Sequence, residues 1–469
     1  MQPLIKTTLR TKRVAQQQDS ELKQCLSATD LTLLGIGAII GTGIFVLTGH
    51  AAAHQAGPAV TLSFIFAGLA CAFAALCYAE LAATVGGCGS AYGYSYAAFG
   101  EIIAWIVGWD LILEYGMSVA AVANGWAGYF SNALSALGHP LPDMLTHAPA
   151  KGGMVNLPAA LIILALMLML IVGVKASARL NAGMVFIKVL TITVFIALAS
   201  GNMDISHWSP FMPYGWFDTM PDGKTVGVLA GASVVFFAYI GFDAVSTAVE
   251  EARNPQRDVP RGIIYSLIFC TVIYIVVAAL LTSLLPYHEL GVDSPVAYAM
   301  QKIGFNWAAA LISTGVIAGL TTVMLVLYYG LTRIIYAMSR DGLLPHSLNH
   351  LNKQTQSPVR VITITGVLMA VMAGFIPLDE LAELVNIGTL AAFVLVCGGV
   401  MLLRHRAPQL PRPFVVPYGS LIPTLGLLSC AALMIFLPAI AWMRFGVWLI
   451  LGLVVYFIYS IRHSKLNQE

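Results

Sequence analysis

The sequence predicts an all-α polytopic membrane protein of about twelve spanning helices. Three observations carry that reading: an apolar composition, apolar stretches that recur at membrane length, and a one-sided distribution of lysine and arginine. Hydrophobic residues fill 58% of 469 positions and charged residues only 10%, whereas soluble domains carry roughly a quarter charged residues. The net charge of +2 comes with no basic stripe interleaved with aromatics, so nothing points to a nucleic-acid partner.

A bilayer core about 30 Å thick needs roughly 20 apolar residues per helix. Such stretches run over 31–55, 58–84, 99–130, 156–173, 181–200, 226–249, 262–285, 307–338, 359–376, 381–403, 420–439 and 444–461. The third and eighth are long enough to tilt or to protrude into water. With both termini cytoplasmic, the inner segments hold Lys6, Arg10, Lys12, Arg13 and Lys23, then Lys175, Arg179, Arg253, Arg257 and Arg261. They continue with Arg333, Arg340, Lys353, Arg360, Arg404, Arg406, Arg412, Arg462 and Lys465. Of 24 basic residues, only Lys151, Lys224, Lys302 and Arg444 fall on the outer face, and Lys188 lies within a span. That asymmetry fixes the expected orientation. The polar segment 1–29 has no short apolar core with a small-residue cleavage site, so the first span is expected to stay in the mature chain.

The seven cysteines (25, 71, 77, 88, 270, 397 and 430) show no CxxC pairing. They read as buried structural thiols, with no disulfide framework and no metal site.

Two spans are interrupted. The first contains Gly35, Gly37, Gly41 and Gly43 within nine residues, and the sixth places Gly241 and Asp243 at mid-membrane. Irregular backbone is tolerated in lipid only against protein or a wet cavity. The interruptions lie five spans apart, so spans 1–5 and 6–10 are expected to form an inverted repeat with broken helices at matching places. The expected division is 1–29, a cytoplasmic segment; 30–205 and 206–405, the two repeats; and 406–469, helices 11 and 12 with the cytoplasmic C-terminus. Freed amides at Gly41, Thr42 and Gly43 can face a carboxylate at a positive helix end. Freed carbonyls at Ile39, Phe237, Ala238 and Ile240 can face an ammonium. The plainer alternative is that the glycines only let helices pack closely.

The stretch from Gly35 to Phe45 resembles the first-span signature of permeases of the amino acid–polyamine–organocation superfamily. Gly89-Ser90-Ala91-Tyr92 is similar to that family too, as are Phe237–Asp243, Glu250-Glu251, Asn254-Pro255, Pro260 and Ser339-Arg340-Asp341-Gly342. The combination most resembles the bacterial branch like the cationic amino-acid transporters. The resemblance implies the five-plus-five inverted-repeat fold with two added helices. It also implies alternating access around a site between spans 1, 3, 6 and 8, and a place in the bacterial inner membrane.

Charges inside the membrane are functional candidates because burying them is costly. Lys188 is the first of these. In sodium-driven relatives of the fold a sodium ion bridges spans 1 and 8 near span 5, and the resemblance places the Lys188 ammonium there instead. Its expected neighbours are carbonyls near Ile36 and Gly37 and the hydroxyls of Thr321 or Thr322. Its expected role is to couple a proton to transport, the alternative being a permanently charged tie between helices.

Glu114 matches an acidic position of the branch near the cavity. It can pair with a basic substrate side chain, interact with Lys188, or bond a neighbouring helix. Asp110, one turn away, is given no role. Asp243 is expected either to cap the inner half-helix or to touch substrate. Glu80 is expected to support structure, and Phe237 to gate the site or serve as core. Leu327, Val326 and Met324 are candidate pocket walls, with Ile40 beside them. The loop holding Glu250, Glu251, Arg253, Arg257 and Asp258 reads as a solvated mixed-charge segment, with an inner gate involving Arg333 and Arg340 as the alternative.

No metalloprotease, Walker or nucleophile-elbow motif is present, so an enzyme is not expected. Two unlike broken helices in one chain do not resemble a repeated channel filter. The expected function is proton-coupled transport of an L-amino acid, with no cofactor besides the proton. A proton-independent exchanger or uniporter and a non-transporting sensor remain as rivals. The side chain stays open between cationic and small neutral, and so does the oligomeric state.

Overall fold

The computed structural model describes residues 26–85, 91–172, 178–221, 223–249, 252–352 and 357–465. The N-terminal bases, Cys25, Cys88, Gly89, Ser90, Lys175, Glu250, Glu251 and Lys353 lie outside the described residues, as does the side chain of Arg179.

The chain is a helical membrane protein. Eight of its described helices are long and apolar enough to cross a bilayer, and Ala28–Ile39, Leu157–Val172, Val359–Phe375 and Leu421–Ile435 are shorter apolar helices. Helix α1 (Ala28–Ile39) opens with a capping box: the Ser27 hydroxyl accepts from the Asp30 amide at 3.3 Å, and the Asp30 carboxylate accepts from the Ser27 amide at 2.9 Å. That arrangement satisfies donors a helix start leaves unpaired. After Ile40 and Gly41 the chain coils again through a wide turn, Gly43–Leu47, into the short α2 (Thr48–Ala51) and a second wide turn, Ala52–Ala56. Helix α3 (Val60–Val85) follows, then α4 (Ala91–Ala98) and α5 (Glu101–Ala136). The 36 residues of α5 reach about 54 Å at 1.5 Å per residue, so the helix extends past the apolar core as its length implied.

Helices α6 (Leu157–Val172) and α7 (Ala178–Ser200) come next. A two-residue hairpin, β1 (Asp218–Thr219) with β2 (Thr225–Val226), precedes the second broken span. That span consists of α8 (Val228–Val235), a tight turn Phe236–Tyr239, and α9 (Ala244–Thr247). The remainder is α10 (Pro255–Leu284), α11 (Pro295–Lys302), α12 (Asn306–Arg340), α13 (Val359–Phe375), α14 (Leu378–Arg406), α15 (Leu421–Ile435), α16 (Ala439–Val455) and α17 (Ile461–His463). The hairpin, α4 and α11 were not expected from the sequence; they are too short to carry a periodicity signal.

Three of the most extensive helix pairings join α3 to α10, α5 to α12, and α6 to α13. Each is a helix of the first half against its counterpart five spans later. Buried charge is used structurally at Glu80, which takes hydrogen bonds from Arg404 and from the Val416 amide at 2.7 Å. This carboxylate ties α3 to α14 and to the segment leading into α15. Asp258 accepts from the Asn254 amide at 3.3 Å and so closes the first turn of α10. The described cysteines, Cys71, Cys77, Cys270, Cys397 and Cys430, are buried and free.

Candidate functional site

Both interruptions are real breaks in the helical backbone. Helix α1 stops at Ile39, and Ile40 is extended at φ −71°, ψ 99°. In the sixth span Ile240 is extended at φ −62°, ψ 137°, and Gly241 has φ 113°, a region open chiefly to glycine. The breaks pack main chain against main chain, and they do so reciprocally. A Cβ on Gly43 would overlap Ala238 Cα, and one on Gly241 would lie 3.0 Å from both Ala38 C and Ala38 O. Close packing and broken helices are therefore one feature here, not alternatives.

The outer half-helix starts at Gly43, with Thr42 as its flanking residue. A helix start leaves its first amides without partners in the helix, so Gly41, Thr42 and Gly43 present donors inward from the break. The Thr42 side chain is fully buried and its Oγ1 has no hydrogen-bond partner. Gly125 on α5 leaves room for the Thr42 methyl, and the nearest atoms to a Cβ on Gly41 would be the Val323 methyls at 3.7 Å.

The carbonyl side differs from expectation. Ile39 O and Ala238 O both lie within hydrogen-bond distance of the hydroxyl of Tyr274 on α10, at 2.8 and 2.9 Å, and share its single hydrogen. Phe237 O accepts the Ile240 amide at 3.3 Å. The sequence had left Tyr274 out entirely. Its signal was faint: one hydroxyl among several in that span, with Tyr265, Ser266, Thr271, Thr282 and Ser283 beside it.

Lys188 is buried, and its Nζ donates to Gly37 O at 2.6 Å and Ile40 O at 3.0 Å. Its stem lies along Gly319 of α12, where a Cβ would come within 2.9 Å of Lys188 Cγ. The expected threonine partners are corrected. Thr322 Oγ1 donates to Gly319 O at 2.7 Å, while Thr321 Oγ1 donates to Ile317 O at 2.8 Å and accepts from Trp126 at 3.0 Å. Helix hydroxyls satisfy themselves on the preceding turn when nothing stronger is near.

Glu114 is buried on α5 beside Asp110 and Asp243. Glu114 Oε1 and Asp110 Oδ1 have no hydrogen-bond partner. Asp110 lies against α14, with its Oδ1 2.5 Å from where a Gly388 Cβ would be. Asp243 stands at the start of α9; its Oδ2 accepts from the Tyr115 hydroxyl at 3.0 Å, and the backbone amides of Asp243, Gly241 and Ala244 also bond its carboxylate. It therefore holds amides where the inner half-helix begins as well as a tyrosine of α5. Phe237, Ile240 and Leu327 are all buried.

The family model for amino acid permeases matches residues 26–459. The chain belongs to the amino acid permease family. The permease is 50% identical over 455 residues to the branched-chain amino acid permease of Bacillus subtilis (strain 168), covering 96% of each chain. It is 46% identical to the methylthioribose transporter of the same organism, covering 97% of each. A vacuolar cationic amino acid transporter of Arabidopsis thaliana is 39% identical, over 83% of this chain and 64% of that one.

Proposed function

We propose that the permease carries an L-amino acid with an uncharged, branched aliphatic side chain across the membrane together with a proton, by alternating access about its two breaks. One observation carries this reading: Lys188 and the substrate-facing carbonyls share one short backbone segment. Lys188 holds Gly37 O and Ile40 O, and the residue between Ala38 and Ile40 supplies Ile39 O to the other side, where Ala238 O meets it. Protonation of Lys188 then fixes the end of α1. Loss of that proton takes the charge out of both hydrogen bonds and weakens the hold on Gly37 O and Ile40 O, so proton and substrate act on the same hinge. The substrate carboxylate is assigned to the amides of Gly41, Thr42 and Gly43, and its ammonium to the carbonyls around Ile39, Ala238 and Ile240.

The aliphatic side chain is supported by the buried, apolar Ile40, Ile44 and Val323 around the first break, with Leu327 buried one turn beyond Val323 on α12. Relatives 50% and 34% identical are named as branched-chain amino acid permeases. Glu114 neighbours two further carboxyl groups, and its role is assigned to the inside of the bundle rather than to a basic substrate. The orientation with both termini cytoplasmic rests on the lysine and arginine asymmetry.

The test is uptake of labelled leucine, arginine and methylthioribose into proteoliposomes under an imposed pH gradient. Leucine is expected to accumulate, and a protonophore to abolish the accumulation. Accumulation indifferent to the gradient removes the proton. Binding without accumulation makes the protein a sensor, and uptake of methylthioribose or arginine alone replaces the substrate class.

A further inference from the structure

We infer that the Tyr129 hydroxyl latches the outer side of the permease shut, by fastening the loop helix α11 to the outer half of the first span; this rests on the alternating-access reading above. Tyr129 lies on α5, one turn beyond Gly125, and is fully buried. Its hydroxyl donates to Phe45 O at 2.8 Å and accepts from the amides of Val296 and Ala297. A phenol has one hydrogen and two lone pairs, and here all three are used. Phe45 belongs to the wide turn that begins the outer half of the first span, while Val296 and Ala297 lie in the first turn of α11. A helix start leaves its first amides unpaired, and Ser294 ahead of α11 makes no side-chain capping bond. The cap of α11 thus comes from another span. One oxygen joins span 3, the outer half of span 1 and the loop between spans 7 and 8.

Further contacts seat the same loop. A Cβ on Gly49 would come within 2.5 Å of Leu290 O and 2.6 Å of Pro295 Cβ, so the loop lies directly on the first span. One turn outward from Tyr129, Asn132 donates to Ser294 Oγ at 2.7 Å. At the rim His147 and Asp293 meet at 3.3 Å with both side chains in reach of water, and such a pair contributes little. Ile40, Thr42 and Ile44 at the first break are fully buried. The Tyr129 contacts differ from the rim pair because they are dry. Without the hydroxyl, Phe45 O and two amides stay unpaired while the loop is closed, and meet water once it lifts. The hydroxyl therefore favours the closed arrangement. Tyr129 is a positioning residue: it acts on substrate access through α11 and the first span.

The experiment compares the chain with and without Tyr129→Phe, by labelling and by leucine uptake. For labelling, Cys25 and Cys88 are replaced by serine, and Val296→Cys reports on the loop, because Val296 is buried. In intact cells a membrane-impermeant maleimide should label position 296 about tenfold faster when Tyr129→Phe is present. Uptake is measured without the reporter. Tyr129→Phe should lower KM, since more of the protein is open to the outside, and lower the maximal rate, since each cycle must close the loop again. A tyrosine that only supports the fold would lower the melting temperature and leave labelling and KM unchanged; that result overturns the inference. Should Tyr129→Phe not fold, Asn132→Cys paired with Ser294→Cys decides. A short reducible cross-link between them should stop uptake until it is reduced, and undiminished uptake by the cross-linked protein overturns the inference. If wild type takes up no leucine, the proposed function fails, while the labelling ratio still tests the latch.

Discussion

At the residue scale, the site is organised by which polar group reaches each backbone oxygen. Lys188 was visible in the sequence because a lysine flanked by Phe186, Ile187, Val189 and Leu190 has no cheap place in a bilayer. Its carbonyl partners followed in kind, since Gly37 lies in the interrupted segment. The threonine partners did not follow, because sequence cannot tell whether a helix hydroxyl looks outward or back onto its own turn. Lys188→Met should leave the protein folded, with an unchanged elution profile in detergent, and abolish pH-driven uptake. Retained proton dependence in that variant would remove Lys188 from the coupling role. Tyr274 was missed for a different reason: a tyrosine in a span is usually core, and only the convergence of two distant carbonyls reveals what its hydroxyl does.

At the scale of the element, the glycines of the two breaks serve geometry before chemistry. Gly241 needs its positive φ, and Gly43 needs the absence of a Cβ against Ala238. Gly241→Ala carries a backbone cost on the order of 1–3 kcal/mol, and Gly43→Ala must push two main chains apart. Both variants should lose uptake more than they lose yield, because the strain falls on the breaks and not on the surrounding bundle; uptake at wild-type level in Gly43→Ala would show that the breaks need not touch. The capping box of α1 is a local feature of ordinary worth. Ser27→Ala should lower stability by about 1 kcal/mol, read from thermal unfolding in detergent, and should leave substrate selectivity alone.

At the scale of the whole molecule, α3 packs on α10, α5 on α12 and α6 on α13, each a helix of the first half against one five spans later. The Glu80–Arg404 tie and the Glu101 cluster sit at the margins of that core. Glu101 accepts from Tyr96 and Tyr456, each at 3.1 Å, and from Ser464 at 2.6 Å, which docks the chain's last described turn on the start of α5. Orientation is testable by labelling. With Cys25 and Cys88 replaced by serine and the buried cysteines kept, Met154→Cys and Val415→Cys place thiols at exposed sites that the charge asymmetry assigns to opposite faces. A membrane-impermeant maleimide should label the first in intact cells and the second only after permeabilisation. The reverse pattern would invert the assigned topology.

The sequence by itself determined the membrane class, the positions of both breaks, the buried lysine and the family, because each is written in local composition: apolar length, glycine spacing, and charge where lipid forbids it. Tertiary structure alone decided what meets at the breaks. Gly43 against Ala238, Lys188 on Gly37 and Ile40, and Tyr274 spanning Ile39 and Ala238 join residues up to 235 positions apart. A backbone oxygen carries no sequence identity, so its partner is fixed only by the packing that brings the helices together.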